Sequence, residues 1–282
     1  MERQKSRAVS LGEFELLSSF IYRKTGIRLE SQKLYFLTTR VNKRMDIVQA
    51  ESVADYIRIL RFGDPDGREF QNLINLLTVN ETYFFRDFPQ LQAFAEHCLD
   101  EVITRKIKEG NRKLKIWSAP CSSGEEPYTL AVILHAMIDN VDDWEVEILA
   151  SDIDQNILKL AEGAVYDNRR VRDVPPEYLS RFFQRRRDGK YLVNPEIRRM
   201  VTFEHLNLSD AMVIRKRKGF DFIFCRNLLI YFDDISRKNL VDQFYIALNP
   251  GGYIFLGSSE SISRISTAFR VKRKGGYFVY YK

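Results

Sequence analysis

The chain has 282 residues, of which 45% are hydrophobic and 29% charged, so it can bury a sizeable core and should form one or two domains. No apolar run approaches the roughly 20 residues of a membrane span, and the polar stretch Met1–Arg7 predicts no signal peptide. We therefore expect a cytoplasmic protein without direct membrane insertion. A net charge of +6 favours an acidic partner: nucleic acid, anionic lipid or an acidic protein surface.

The three cysteines, Cys98, Cys121 and Cys225, lack the spacing of metal ligands, and the three histidines are scattered. We predict no metal site and, in a cytoplasmic protein, no disulfide. Cys121 and Cys225 fall at predicted strand ends, where small buried hydrophobic residues are a better interpretation than nucleophiles.

The N-terminal part of the chain has helical periodicity. Ser31 and Ser52 are predicted N-caps, and Gly26 is a predicted stop. The predicted helices are Leu11–Lys24, Ser31 to about Arg44, Val53–Phe62, about Gly67–Leu77 and a long amphipathic helix, Phe88–Glu109. We therefore divide the chain into a helical domain at residues 1–77, a linker segment with a connecting helix at 78–112, and a second domain at 113–282.

From residue 113 the pattern alternates between strand and helix, which predicts a parallel sheet with helices on both faces. The predicted strands are Leu114–Ala119, Glu145–Ser151, Met200–Leu206, Phe220–Cys225 and Tyr253–Gly257, with helices at Gln155–Glu162 and Asp234–Leu248 and a turn at residues 249–252. Phe269–Arg273 and Tyr277–Tyr281 predict a terminal antiparallel hairpin. A terminal hairpin on such a sheet resembles the arrangement of class I methyltransferases. The expected fold is therefore α/β: an N-terminal all-α bundle followed by a Rossmann-like domain of that class.

Residues 163–199 interrupt this alternation. The Asp188-Gly189 turn between Arg181–Gln184 and Lys190–Val193 predicts a β-hairpin. We interpret the stretch as a small inserted β subdomain and a candidate docking element.

The stretch Trp117–Leu134 passes from an apolar strand through a turn of small residues into a helix that opens with Glu125 and Glu126. Such a turn lets a ligand approach the backbone, and the helix supplies free N–H groups. The three glycines of the dinucleotide fingerprint and a phosphate-binding Gly-Lys-Ser/Thr are both missing. The glutamates would repel a pyrophosphate, so a cationic ligand with sugar hydroxyls, such as S-adenosylmethionine, fits better. Alternatively, they only complement the helix dipole.

Ligands of open α/β sheets lie beyond the carboxyl ends of the strands. Asp152 ends the second strand, where a carboxylate can accept both ribose hydroxyls, whereas Asp154 is the better N-cap of the next helix. Asn207-Leu208 and Arg226-Asn227 follow two later strands.

Six segments in order, VNETYFFRD, WSAPCSSGEEPYTLA, ASDID, HLNL, FCRNLLIYF and LNPGGYIFLGSSE, resemble the CheR family of chemoreceptor glutamate methyltransferases. The resemblance covers nearly the whole chain, including the helical domain and the insertion. It implies transfer of the methyl group of S-adenosylmethionine to receptor glutamates, giving γ-methyl esters and S-adenosylhomocysteine. The implied partner is the acidic helical surface of the cytoplasmic domain of chemoreceptors, reached by a cytoplasmic enzyme recruited to membrane-associated receptor arrays.

The resemblance also implies roles for particular residues. The cofactor contacts that it implies are Asn80, Thr82, Arg86, Glu126, Asp152, Asn207, Leu208, Arg226 and Asn227. Tyr231 would lie beside the transferring methyl group, with Arg86 nearby. Because a glutamate is already ionised at pH 7, we expect both residues to position the acceptor and not to act as acid–base catalysts.

Lys33, Arg40 and Arg44 share one predicted helical face, which would steer docking onto an acidic receptor. The alternative is an ordinary solvated surface. Some family members are tethered by a peptide at the receptor C-terminus. The short, basic turn at Arg185–Lys190 shows no clear groove for such a peptide, so tethering stays open. We expect a monomer.

Two other functions are alternatives for this sequence. A nucleic-acid methyltransferase would suit the charge, but Arg226-Asn227-Leu228-Leu229 stands where amino-methylating DNA enzymes carry Asn/Asp-Pro-Pro-Tyr/Phe/Trp. Cytosine-C5 methylation needs a suitably placed cysteine, and the candidate, Cys121, lies in the cofactor turn, where the cofactor should cover it. No nucleic acid is therefore expected. The other alternative is a non-catalytic S-adenosylmethionine-binding scaffold.

Overall fold

The computed structural model describes residues 8–263 and 265–282. Its α-helices are α1 (Leu11–Thr25), α2 (Leu34–Val48), α3 (Val53–Arg58), α4 (Arg68–Leu77), α5 (Phe88–Ala93), α6 (Asp100–Lys108), α7 (Glu125–Met137), α8 (Gln155–Gly163), α9 (Pro176–Phe182), α10 (Pro195–Arg198), α11 (Ala211–Ile214) and α12 (Asp234–Ala247). Its strands are β1 (Lys113–Ser118), β2 (Glu145–Asp152), β3 (Val165–Tyr166), β4 (Phe183–Arg185), β5 (Tyr191–Val193), β6 (Val201–His205), β7 (Phe220–Cys225), β8 (Leu248–Leu256), β9 (Arg270–Lys274) and β10 (Tyr277–Tyr281).

Helices α1 to α4 pack around an apolar core of their own. Ser10 and Glu13 form a reciprocal capping box at the start of α1, and Gly26 ends that helix in the left-handed conformation. Ser52 caps α3 as predicted, by accepting from the Asp55 N–H. The prediction for Ser31 is wrong: it opens a 3₁₀ turn, and its side chain caps nothing.

The predicted long helix is confirmed and contains a π turn at Phe94–Leu99, between α5 and α6. Phe94 at that turn is fully buried, and its ring meets the rings of Phe222, Phe224 and Phe255 edge-on. The helix is therefore anchored to the central sheet.

Seven strands form one sheet in the order β6-β2-β1-β7-β8-β10-β9. The first five are parallel and the β9–β10 hairpin is antiparallel, which confirms the predicted α/β fold. Separate apolar cores lie on the two faces of the sheet. Strand order reverses direction at β1 and β7, the position where ligands of such sheets bind.

Residues 249–252 do not form the predicted turn but belong to β8. The Gly251 N–H donates to the Lys282 carbonyl, and the Lys282 N–H donates to the Gly252 carbonyl. A shift in the β7–β8 register between Phe220 and Phe222 accommodates the extra residues as a bulge.

The inserted subdomain, residues 163–199, contains a three-stranded sheet in the order β3-β5-β4. The predicted hairpin is confirmed as β4 and β5, with Arg185 opposite Tyr191. Strand β4 is at the edge of this sheet. Across residues 8–263 and 265–282, no helix has both the length and the apolarity needed to cross a bilayer.

Candidate active site

A cleft with two lobes opens at the carboxyl ends of β1, β2 and β7. The inner lobe and the outer lobe are open spaces of about 570 Å³ and about 650 Å³, with the solvent at their mouths included. The inner lobe is lined by Thr82, Tyr83, Arg86, Glu126, Thr129 and Arg226 among others, and the outer lobe by Phe36, Asn80, Asp152, Ile153, Leu228 and Tyr231 among others. Val79, Pro120, Ser122 and Asn227 line both.

The turn Ala119–Gly124, here called the cofactor loop, forms the floor between the lobes. Gly124 has a φ of 91°, and a Cβ there would lie 2.9 Å from both the Ala161 Cβ and the Tyr166 hydroxyl. Only glycine therefore fits, and the chain can turn tightly from β1 into α7.

Arg226, just after β7, is 6% exposed and is the centre of a buried ion network. Its Nη1 donates to Glu126 Oε2 at 3.0 Å, and its Nη2 donates to Asp87 Oδ2 at 2.5 Å and to the Arg86 carbonyl at 2.9 Å. The Ser118 hydroxyl donates to the other Glu126 oxygen. The Arg226 Nε has no hydrogen-bond partner within the described part of the chain. This network fixes Glu126 and the interdomain segment, residues 78–87, against the end of β7.

Asp152, at the end of β2, is 4% exposed and accepts hydrogen bonds from the Ser122 and Asp154 amides. Burial raises the pKa of its carboxyl group to about 6. Asp154 caps α8 by accepting from the Asn156 and Ile157 amides, as predicted. Asp152 is thus left as the carboxylate that faces the outer lobe.

The interdomain segment supplies one wall of each lobe. Asn80 faces the outer lobe, and its amide donates to Asp154 and to Thr78. Arg86 faces the inner lobe, where its Nη1 donates to the Glu81 carbonyl at 2.9 Å. Within the described residues, no carboxylate lies within salt-bridge distance of Arg86, in contrast to Arg226.

Tyr231 ends a 3₁₀ turn at Leu229–Tyr231 and lines the outer lobe. The Lys33 ammonium lies 5.0 Å from the centroid of its ring. The structure therefore groups Thr82, Arg86, Glu126 and Arg226 in the inner lobe and Asn80, Asp152 and Tyr231 in the outer lobe. Arg86 lines only the inner lobe and Tyr231 only the outer lobe, whereas Asn227 lines both.

Asn207 and Leu208 line neither lobe. The Asn207 amide donates to the Lys24 carbonyl at 2.6 Å, and Leu208 is buried in the core beside α12. Their contact with adenine stays a prediction.

Two carboxylates that shape the site were not singled out from the sequence: Asp87 and Glu260. Glu125 was noted only as one of the two glutamates that open α7. Glu260 accepts from the amides of Asn227, Leu229 and Gly257, so it braces the loop that carries Asn227 and Tyr231. Its position at the end of LNPGGYIFLGSSE was the available signal.

Arg44 does not offer a free charge to the basic face predicted for Lys33, Arg40 and Arg44. Arg44 forms a bidentate pair with Glu69, which also accepts from the Tyr56 hydroxyl. Arg40 donates to the Leu76 and Phe36 carbonyls and stacks on the Phe36 ring. The charge of Arg44 is therefore balanced by Glu69, whereas Arg40 keeps its charge but is held by backbone carbonyls.

The cysteines are buried, as expected for structural residues. Burial raises the pKa of the Cys121 and Cys225 thiols well above its usual range, which leaves no thiolate near pH 7. No cluster of three or more potential metal ligands occurs in the portion of the chain that the structure describes.

Two family models match the chain almost end to end. The all-alpha domain of CheR methyltransferases matches residues 12–78, and the SAM-binding domain of CheR methyltransferases matches residues 80–277. The chain belongs to the CheR methyltransferase family. It is 44% identical over 270 residues to chemotaxis protein methyltransferase 2 of Vibrio cholerae serotype O1, covering 96% of this chain and 92% of that protein.

Two other relatives are chemotaxis protein methyltransferase 1 of Pseudomonas aeruginosa, 33% identical over 92% of this chain and 93% of that protein, and the chemotaxis protein methyltransferase of Borreliella burgdorferi, 31% identical over 90% and 89%. The predicted family, the methyltransferase class and S-adenosylmethionine as cofactor are confirmed. The charged residues of the cleft fit this cofactor. In the outer lobe, the buried carboxylate of Asp152 can accept from hydroxyl groups. In the inner lobe, Glu126, which is paired with Arg226, and Arg86, which has no carboxylate partner, suit an amino acid zwitterion.

Proposed function

We propose that this CheR family member transfers a methyl group to glutamate side chains of chemoreceptors, forming γ-methyl esters. The observation that carries this proposal is the guanidinium of Arg86, which faces the inner lobe without a carboxylate partner. An unpaired arginine in a partly buried lobe favours an anionic acceptor, and its fork matches a carboxylate. The names of the Vibrio and Pseudomonas relatives also support a chemotaxis substrate.

S-adenosylmethionine supplies a methyl group on a positively charged sulfur. We assign Asp152 to the ribose hydroxyls because it is a buried carboxylate at the end of β2. We assign Glu126, held by Arg226, to the amino acid end. The other residues proposed to contact the cofactor are Asn80, Thr82, Arg86, Asn207, Leu208 and Asn227.

The acceptor carboxylate needs no general base, because its ordinary pKa of about 4.3 leaves it ionised near neutral pH. The catalytic task is then placement of a carboxylate oxygen, which is a matter of proximity and orientation. Arg86 and Tyr231 are the proposed positioning groups. Lys33, above the Tyr231 ring, adds a positive charge at the mouth of the outer lobe.

The proposed partner surface is an acidic helical region of the cytoplasmic part of chemoreceptors. The inserted subdomain supports this, because its 37 residues contain ten basic and five acidic residues and so contribute +5 to a chain of net charge +6. Arg185 and Arg187 are exposed on the edge strand and the turn after it, with no salt-bridge partner among the residues described. Such charges steer the approach of an acidic surface.

We further propose that the protein acts as a monomer in the cytoplasm and reaches membrane-associated receptor arrays by binding the receptor. Size-exclusion chromatography with light scattering tests the monomer, and co-sedimentation with receptor-containing membranes tests recruitment.

The proposed function is tested by supplying radiolabelled S-adenosylmethionine with a cytoplasmic chemoreceptor fragment and, in parallel, with total RNA. We expect label on the receptor that mild alkali releases as volatile methanol, which identifies a carboxyl methyl ester. Alkali-stable label on RNA would replace the proposal with a nucleic-acid methyltransferase. No label on any chemoreceptor tested, with cofactor binding intact, would support a binding scaffold.

A further inference from the structure

The inserted subdomain holds both walls of the inner lobe. On one side, the Tyr166 hydroxyl on β3 donates to the Ser123 carbonyl of the cofactor loop at 2.7 Å. On the other side, the Arg170 carbonyl accepts from the Phe84 N–H of the interdomain segment at 3.0 Å. The subdomain is therefore part of the frame of the site as well as a candidate docking element.

The side chain of Arg170 joins these two walls directly. Its Nη1 donates to the Thr82 carbonyl at 2.5 Å and to Glu125 Oε1 at 3.0 Å. Thr82 lines the inner lobe, and Glu125 is the first residue of α7, next to Glu126. A single nitrogen thus spans the gap between the interdomain segment and the start of the helix that carries Glu126.

Aromatic packing makes this junction stiff. The Phe84 ring meets Tyr166 at 4.8 Å and Phe183 at 5.1 Å, both edge-on, and the Phe85 ring stacks on Tyr178. Both phenylalanines come from the interdomain segment, and their three partners belong to the inserted subdomain. Displacement of the subdomain would therefore move Thr82 and Arg86.

A simpler role for Arg170 would be to balance the buried charge of Glu125. That carboxylate is fully buried, and burial raises its pKa even though Ser123 and Arg170 both favour the ionised form. Charge balance does not account for the second bond from the same nitrogen to the Thr82 carbonyl, because a carbonyl carries no charge to be balanced.

We propose that Arg170 is a positioning residue for the inner lobe: it fixes the spacing between the Thr82 backbone and the start of α7, and it couples the inserted subdomain to cofactor binding. The expected effect on cofactor binding does not depend on which acceptor is methylated, whereas any effect on the rate of methyl transfer rests on the proposed function.

The test compares Arg170→Gln and Arg170→Lys in the full chain, by isothermal titration with S-adenosylhomocysteine and by thermal unfolding. We expect Arg170→Gln to weaken binding about tenfold, the effect of losing one charge-assisted hydrogen-bond network. Arg170→Lys should retain most of the affinity, because one ammonium can serve both acceptors. Arg169→Gln, an exposed neighbour in the same subdomain, is the matched control and should bind normally.

The double variant Arg170→Gln/Glu125→Gln separates the two roles. It removes the buried charge, so thermal stability should recover, but affinity should stay low because nothing holds the Thr82 carbonyl. Full recovery of both would overturn the proposal and leave Arg170 as a charge-balancing residue. Unchanged affinity in Arg170→Gln would overturn it as well. Failure of the unmodified protein to bind S-adenosylhomocysteine would instead count against the cofactor assignment.

Discussion

Charged residues are used differently in the cofactor cleft and on the outer face of the inserted subdomain. In the cleft, Arg226 is buried and its two terminal nitrogens bind carboxylates from distant parts of the chain. On the subdomain, Arg185 and Arg187 are exposed and have no such partner within the described residues. A buried pair is costly to break because the remaining charge is left uncompensated, whereas an exposed charge acts mainly through encounter and salt-dependent docking. Changes in the cleft should therefore act on cofactor binding and catalysis, and changes on the subdomain on receptor binding.

The largest expected effect follows Arg226→Gln. Loss of its charge leaves Glu126 and Asp87 unpaired, which costs the fold roughly 4 kcal/mol. Because Glu126 and the interdomain segment then lose their anchor, we expect kcat/KM to fall by up to about 1000-fold, the rate factor equal to that free energy. Steady-state methyl transfer measures this, with the exposed Arg215→Gln as control. A drop below tenfold would mean that the cleft tolerates unpaired charge.

The second effect is a pH dependence of cofactor binding in the outer lobe. Asp152 accepts hydroxyl groups only as a carboxylate, and its pKa of about 6 lets it take up a proton under mildly acidic conditions. We expect the affinity for S-adenosylhomocysteine to be constant above pH 7 and to fall by up to about tenfold for each pH unit below 6. Asp152→Asn should bind weakly at every pH.

The same titration affects folding with the opposite sign. The carboxyl of Asp152 binds its proton more tightly in the folded state, with a pKa of about 6, than at the ordinary value of 3.8. Its contribution to stability therefore rises as the pH falls from 6 towards 4. On lowering the pH from 7 to about 5.5, the stability of the unmodified protein should therefore increase relative to that of Asp152→Asn, as thermal unfolding of the two proteins measures. A loss of cofactor binding over the same pH range then cannot be explained by unfolding caused by protonation of Asp152.

A smaller effect is expected on the exposed side of the comparison. The double reversal Arg185→Glu/Arg187→Glu should raise the KM for a receptor fragment about fivefold at low salt, and less at high salt, without changing kcat. Melting temperature should also be unchanged, because both side chains are exposed. If KM stays constant across the salt range, docking uses another surface.

The smallest effect is expected at Tyr231, which lies at the mouth of the outer lobe. If it only positions the acceptor, Tyr231→Phe should lower kcat about threefold, the cost of one hydrogen bond, and leave the pH profile unchanged. A large loss that follows the titration of a side chain would identify Tyr231 as an acid–base catalyst.

Residues at the ends of parallel strands could be found from sequence, because those ends meet at one edge of the sheet. Asp152 and Arg226 were located in this way, and both lie in or beside the cleft. Partners that are distant in the chain could not be found: Arg226 binds Asp87 across 139 positions, and Arg170 binds Glu125 across 45.

The basic face predicted for Lys33, Arg40 and Arg44 was wrong at Arg44 for the same reason. Helical spacing placed Arg40 and Arg44 on one face, but spacing cannot show which face packs against α4. Glu69, 25 positions away, takes up the Arg44 charge. In this protein, the charge pattern of one helix was not enough to identify a docking surface.

Glutamate carboxylates are the proposed methyl acceptors. The most direct measurement is peptide mapping by mass spectrometry of a cytoplasmic chemoreceptor fragment after incubation with the enzyme and S-adenosylmethionine, with Arg226→Gln as the inactive control. We expect methyl groups on glutamate side chains only, removed by mild alkali and missing with the variant. Methyl groups on nitrogen atoms of lysine or arginine, stable to alkali, would contradict it.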